Sequence, residues 1–125
     1  GPERGTETSP MPTGSSGVAK GFVSIWIGNF KDELDLDGYL GPEFEADHGL
    51  TKAEGEYAIH KVDVPLRELL EAFFFSERWI AAALDIATSK GETTASCAVV
   101  RTHYRHEPSA PSAGPLRFLG CVALG

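Results

Sequence analysis

Apolar residues in this chain follow strand-like patterns in three places, beginning at Phe22. Residues 22–28, FVSIWIG, are apolar at both sets of alternating positions, which is typical of a central strand covered on both sides. Residues 93–104 and 116–124 also predict strands. Residues 56–64 alternate loosely and predict an outer strand. The sequence therefore predicts three or four strands, separated by segments whose apolar residues do not follow the strand pattern.

Between these strands the apolar spacing becomes helical. From Pro65, an apolar stripe at intervals of three and four residues predicts a helix over residues 65–74, with Leu66, Leu69, Leu70 and Phe73 on its buried face. Ser76 is a favourable N-cap for a second helix that ends at Lys90-Gly91. The buried face of this second helix is predicted to contain Trp79, Ile80, Ala83, Leu84 and Ala87.

Two shorter helices are predicted after the first strand. Asp32 caps a helix that runs to about Leu40. Gly41-Pro42 interrupts it, Pro42 suits the first turn of the next helix, and Gly49 suits its end.

The element order predicts a single α+β domain, with helices packed on a mainly antiparallel β-sheet. A length of 125 residues fits one domain with one core. Residues 1–21 contain almost no large apolar side chains and predict a flexible tail, of which Gly1-Pro2 is typical of a cleaved tag. Residues 22–125 form the predicted domain, and the Pro- and Ala-rich residues 107–114 form a long loop within it.

The net charge of the chain makes some classes of binding partner unfavourable. The net charge is −7, which disfavours nucleic acid and anionic membranes because both repel an acidic domain. No stretch is long and apolar enough to cross a bilayer, and the N-terminus lacks the pattern of a signal peptide. Basic proteins, cations and neutral ligands stay open as partners.

The negative charge is concentrated in one region. Residues 32–63 contain ten acidic residues, opposed only by Lys52 and Lys61. Within it, the predicted partner-binding residues are Asp32, Glu33, Asp35, Asp37, Glu43, Glu45 and Asp47. One interpretation is a solvated face that keeps the protein in solution. The other is an acidic surface that meets a basic partner and selects it by charge.

Cys97 and Cys121 are too few for a disulfide scaffold and lie in apolar, strand-like runs. They are interpreted as buried free thiols in a reducing compartment, which favours a cytoplasmic location. Trp26 and Trp79 also lie in apolar runs and are predicted to be core residues.

Metal and catalytic motifs are weak. His103 and His106 are three positions apart in a strand and are interpreted as ordinary surface histidines. The acidic run from Glu33 resembles a calcium loop, but Phe44 stands where that loop requires a bidentate glutamate. No serine lies in a nucleophile-elbow motif, no glycine-rich segment matches a phosphate-binding loop, and the acidic pairs are typical of surface charge. We therefore expect no enzymatic activity, no metal and no cofactor.

Four segments in order carry a family resemblance: VSIWIGNF at residues 23–30 followed by KDEL and YL, PEFEADHGL at 42–50, FSERWI at 75–80, and LRFLGCV at 116–122. Together they resemble immunity protein 22 of bacterial polymorphic toxin systems, over roughly residues 22–124. The resemblance implies a cytoplasmic α+β protein that binds and neutralises a cognate toxin domain, such as a nuclease, without catalytic residues. The alternative is a general protein-interaction or regulatory module of a larger bacterial protein.

Overall fold

The fold is seen in a computed structural model that describes residues 16–51, 53, 55–73, 75–106 and 114–124. In chain order the elements are β1 (Ser16–Gly28), α1 (Glu33–Tyr39), α2 (Pro42–His48), β2 (Gly55–Pro65), α3 (Leu66–Glu71), a 3₁₀ turn (Ser76–Arg78), α4 (Ile80–Ser89), β3 (Thr94–His106) and β4 (Leu116–Ala123). None of the helices in these ranges is long and apolar enough to cross a membrane.

The four strands form one antiparallel sheet in the order β2-β3-β1-β4. The α+β fold class is therefore confirmed, and β2 lies at an edge as residues 56–64 predicted. β1 begins at Ser16, whereas the sequence predicted order from Phe22, because Ser16 and Val18 pair with His106 and Tyr104 of β3. Backbone pairing needs no large apolar side chain, so composition did not reveal it. Residues 1–15 of the predicted tail lie outside the described residues.

Helices cover both faces of the sheet. Successive side chains of a strand point to opposite faces. Ile25 and Ile27 therefore enter the apolar cluster beneath α3 and α4, whereas Trp26 enters the cluster beneath α1 and α2. All three side chains are fully buried. The prediction of a central strand covered on both sides is confirmed.

The helices on the α3 face differ in detail from their prediction. α3 ends at Glu71, and Ser76 does not cap α4. Ser76 is instead buried at the start of the 3₁₀ turn, where its Oγ donates to the carbonyl of Glu71 at 3.4 Å. The turn brings Trp79 against Phe73, with ring centroids 6.0 Å apart. Burial of these two rings outweighs the local capping preference of a serine.

The helices on the opposite face begin and end as predicted. The Asp32 carboxylate accepts a hydrogen bond from the backbone N–H of Asp35 at 2.8 Å and so caps α1. Pro42 opens α2, and Gly49 ends it in the left-handed conformation at φ 65°.

Cys97 is buried, Cys121 is half-buried, and both are free thiols. The predicted loop at residues 107–114 lies, apart from Gly114, outside the described residues.

Candidate functional site

α1 and α2 lie side by side on one face of the sheet and present the predicted acidic residues. Leu36 and Tyr39 of α1 and Phe44 of α2 are buried in the cluster around Trp26. Because a helix turns about 100° per residue, the positions between these anchors point away from the sheet. We call the surface formed by Asp32, Glu33, Asp35, Asp37, Glu43, Glu45 and Asp47 the acidic face.

The acidic face is open to solvent. Six of its seven side chains belong to exposed residues, and Glu45 is half-buried. Residues 32–47 contain no lysine or arginine, and the positive charges that pair with this surface, Lys31 and Arg101, lie outside this segment. Leu34 lies among these carboxylates with 79% of its surface exposed. A partner that covers the acidic face would remove this leucine from water, which favours association.

Some acidic side chains already have structural partners. Asp32 caps α1, and Asp47 accepts a hydrogen bond of 2.6 Å from the Tyr39 hydroxyl. Burial raises the pKa of Tyr39, and this hydrogen bond raises it further. Asp35 pairs with Lys31 at 3.7 Å, an exposed i,i+4 pair of small energetic value. Within the described part of the chain, the carboxylates of Glu33, Asp37 and Glu43 take part in no hydrogen bond or ion pair. These three carboxylates can meet a partner without breaking an internal bond.

Arg101 holds the end of the acidic face to the sheet, and the sequence analysis missed it. Its side chain is 3% exposed and donates to Glu56 at 2.8 Å, to Glu45 at 3.3 Å and to the Thr51 carbonyl at 2.6 Å. The guanidinium also lies over the rings of Phe44 and Tyr104. The one signal available was a single arginine inside the apolar strand run at residues 93–104.

Comparisons with known proteins give no relative. No family model matches this chain, no curated protein matches it, and no solved structure matches it.

The ring cluster beneath α2 corrects the interpretation of His106 as a surface histidine. His106 is 3% exposed, and its ring lies 5.3 Å from Trp26 and 4.6 Å from Phe118 between centroids. Burial, with smaller contributions from His48 and Arg101, lowers the pKa of His106 to about 4. The ring folds inward because β3 extends past Tyr104 to His106, two residues beyond its predicted end.

His48 joins α2 to this ring cluster. Its Nδ1 accepts a hydrogen bond from the indole N–H of Trp26 at 3.3 Å. Burial lowers the pKa of His48, although the neighbouring Asp47 carboxylate acts in the opposite direction. Two neutral histidines and an indole thus form part of the support on which the acidic face rests. Both tryptophans are core residues, as predicted.

No group of three or more His, Cys, Asp or Glu side chains suited to a metal ion occurs in the described ranges. Residues Glu33–Tyr39 are helical, so the acidic side chains that resembled a calcium loop radiate from α1 instead of converging.

Proposed function

We propose that this protein is an immunity protein, which binds a cognate bacterial toxin domain in the cytoplasm and neutralises it stoichiometrically through the acidic face. The observation that carries the proposal is the exposure of carboxylates on α1 and α2 around the exposed Leu34. The four-segment resemblance to immunity protein 22 supports the same function.

The chemistry of the acidic face favours a basic partner. Exposed carboxylates attract a basic surface from a distance, and this attraction raises the association rate and selects against acidic competitors. A nuclease toxin has a basic groove for the phosphate backbone, and carboxylates spaced along two short helices can occupy such a groove in place of phosphates. Leu34 then adds apolar contact, which slows dissociation.

Contacts within the protein hold α1 and α2 in place, as expected of a binding surface that is formed before the partner arrives. The Tyr39–Asp47 hydrogen bond joins the two helices, and Arg101 joins α2 to the sheet through Glu45. A surface held in its bound shape loses less conformational entropy on association. The acidic face therefore resembles the rigid surfaces of stoichiometric inhibitors.

The test is a charge-reversal variant restricted to carboxylates without internal partners: Glu33→Lys, Asp37→Lys and Glu43→Lys together. Binding is measured by stopped flow or surface plasmon resonance against the cognate toxin domain, which co-purification with this protein identifies. We expect the association rate at low salt to fall by roughly 10–1000-fold, because steering by complementary charge is lost. Thermal stability should change little, and cells expressing the toxin should lose protection.

The matched control reverses three exposed acidic residues on the other face of the sheet, namely Glu68→Lys, Glu77→Lys and Asp85→Lys. Both triple variants change the net charge by the same amount. A difference between their association rates therefore reports contact at the acidic face and not the overall charge of the protein. We expect its association rate to stay within about threefold of the wild-type rate. Equal losses in the two triple variants, or none in either, would contradict binding through the acidic face.

A further inference from the structure

A glycine lies inside α1, in the middle of the acidic face. Gly38 is helical and exposed. Glycine is less favourable than alanine within a helix, because its backbone loses more conformational entropy on folding. This cost falls on a helix of only seven residues, which has little stability of its own. Helix formation therefore does not explain why a glycine stands at this position.

The fold does not explain this glycine either. Gly38 is not among the described glycines with positive φ, whereas Gly41, at φ 119°, turns the chain between α1 and α2. A Cβ at Gly38 would meet no heavy atom of the described residues within 4 Å. A Cβ at Gly114, by contrast, would overlap the Tyr39 hydroxyl, so close packing accounts for that glycine. Within the described part of the chain, neither a turn nor internal packing requires glycine at position 38.

Leu34 and Gly38 form a row on the solvent side of α1, because residues four apart in a helix lie one above the other. The Leu34 residue projects from this row with 79% of its surface exposed. We call the space above Gly38, where no side chain projects, the notch. Since a helix turns about 100° per residue, the exposed residues Asp35 and Asp37 lie on either side of the row. The notch thus has an apolar side chain at one end and a carboxylate on each flank.

We propose that an arginine side chain of the toxin domain crosses α1 in the notch, which makes Gly38 a specificity-determining residue of the acidic face. This inference rests on the proposed function. The apolar stem of an arginine can lie against Leu34 while its charged head reaches a carboxylate. A guanidinium pairs with a carboxylate through two parallel hydrogen bonds and is more weakly hydrated than a lysine ammonium. Within the described residues, the Asp37 carboxylate takes part in no hydrogen bond or ion pair that this pairing would break.

The test is the variant Gly38→Ala, for which stability and binding change in opposite directions. Alanine favours the helix, so the unfolding temperature of the variant alone, measured by calorimetry, should rise by about 2–5 °C. The added methyl group occupies the notch and holds the arginine stem away from the helix. Affinity for the cognate toxin domain, measured by surface plasmon resonance, should therefore fall about tenfold, mainly through faster dissociation. A variant that only damaged the fold would lose stability as well as affinity.

The control is Ala81→Leu, which enlarges an exposed side chain of α4 on the other face of the sheet. Like Gly38→Ala, it leaves the net charge unchanged, and its affinity should stay within about twofold of the wild-type value. The crossing residue is identified by changing each arginine, lysine and aromatic residue of the toxin surface to alanine. One arginine should account for about tenfold in affinity against the wild type and for much less against Gly38→Ala, because the two changes remove the same contact.

Three results would overturn the role of Gly38: an unchanged affinity of Gly38→Ala, a lower unfolding temperature of this variant, or coupling of Gly38 to a toxin residue other than arginine. The proposed function is judged separately, by the charge-reversal variant of Glu33, Asp37 and Glu43. If charge reversal slows association while Gly38→Ala binds normally, the acidic face stands and the notch is not a contact. If neither variant changes binding, the acidic face is not the binding surface.

Discussion

Arg101 brings a full positive charge to a position where only 3% of its side chain meets solvent. Removing such a charge from water is costly, and the cost is offset here by donors directed to Glu45, Glu56 and the Thr51 carbonyl. These acceptors belong to α2, to the segment after it and to β2. A single guanidinium therefore links three parts of the chain that are apart in sequence.

At the residue scale, we expect Arg101→Met to lower the free energy of unfolding by about 2–3 kcal/mol, because charge-assisted hydrogen bonds are lost. The loss is limited because the Glu45 and Glu56 side chains keep 41% and 28% exposure and can be rehydrated. Urea denaturation measures the change.

Arg67→Met is the matched control. Arg67 forms an exposed i,i+4 pair with Glu71 at 3.7 Å, and its loss should cost less than about 0.5 kcal/mol. If both variants lose the same stability, Arg101 is not the link described above.

At the element scale, the helices depend on the sheet for their stability. α3 has six residues and α1 has seven, which is too short for an isolated helix to be stable in water. α3 is held by Leu66, Leu69 and Leu70, all buried against the sheet. The three-to-four spacing of these leucines was visible in the sequence, and for that reason α3 was predictable.

Leu69→Ala should destabilise the protein by roughly 2–5 kcal/mol, since Leu69 is fully buried and its truncation leaves a cavity. Leu34→Ala is the control on another short helix, where the side chain is 79% exposed, and it should change stability by less than about 0.5 kcal/mol. Both values are obtained from denaturant unfolding. A loss below about 1 kcal/mol for Leu69→Ala would mean that α3 does not pack as described.

The whole molecule is a sheet between two apolar layers, and the layer beneath α2 contains ionisable rings. Burial favours the neutral forms of His48 and His106, so their pKa values are lowered in the folded protein. The charged groups facing this cluster include Arg101, which disfavours a second positive charge nearby. Acidification therefore acts against the packing of α2 on the sheet.

The expected pH dependence follows from proton uptake by the unfolded chain. The pKa of His106 falls from 6.5 to about 4 on folding, so below pH 6.5 the unfolded state binds more protons. The contribution of His106 to stability should be fully present above about pH 7 and should decline as the pH falls, with a loss of about 2 kcal/mol between pH 7 and 5.

The His106→Phe variant keeps a ring between Trp26 and Phe118 but cannot be protonated. Its free energy of unfolding, measured by urea denaturation at each pH, should vary by about 2 kcal/mol less over this range. Parallel profiles for the wild type and the variant would show that His106 is not the group responsible.

The apolar and polar pattern was enough to predict most of the elements and the fold class. The run at residues 22–28 indicated a strand covered on both faces, and Asp32 and Gly49 marked the limits of the acidic helices, because these signals act between residues close in sequence. The exposure of Glu33, Asp37 and Glu43 also agrees with this local pattern.

Only the tertiary structure decided which polar residues lie inside. The burial of Arg101 and His106 and the bulge opposite His103 depend on pairing between strands that are distant in sequence. The same holds for Ser76, which is buried in a 3₁₀ turn although its local preference is to cap a helix. Local preferences are worth about 1 kcal/mol each, whereas burial of one large ring contributes about 2 kcal/mol or more, so long-range packing prevails where the two conflict.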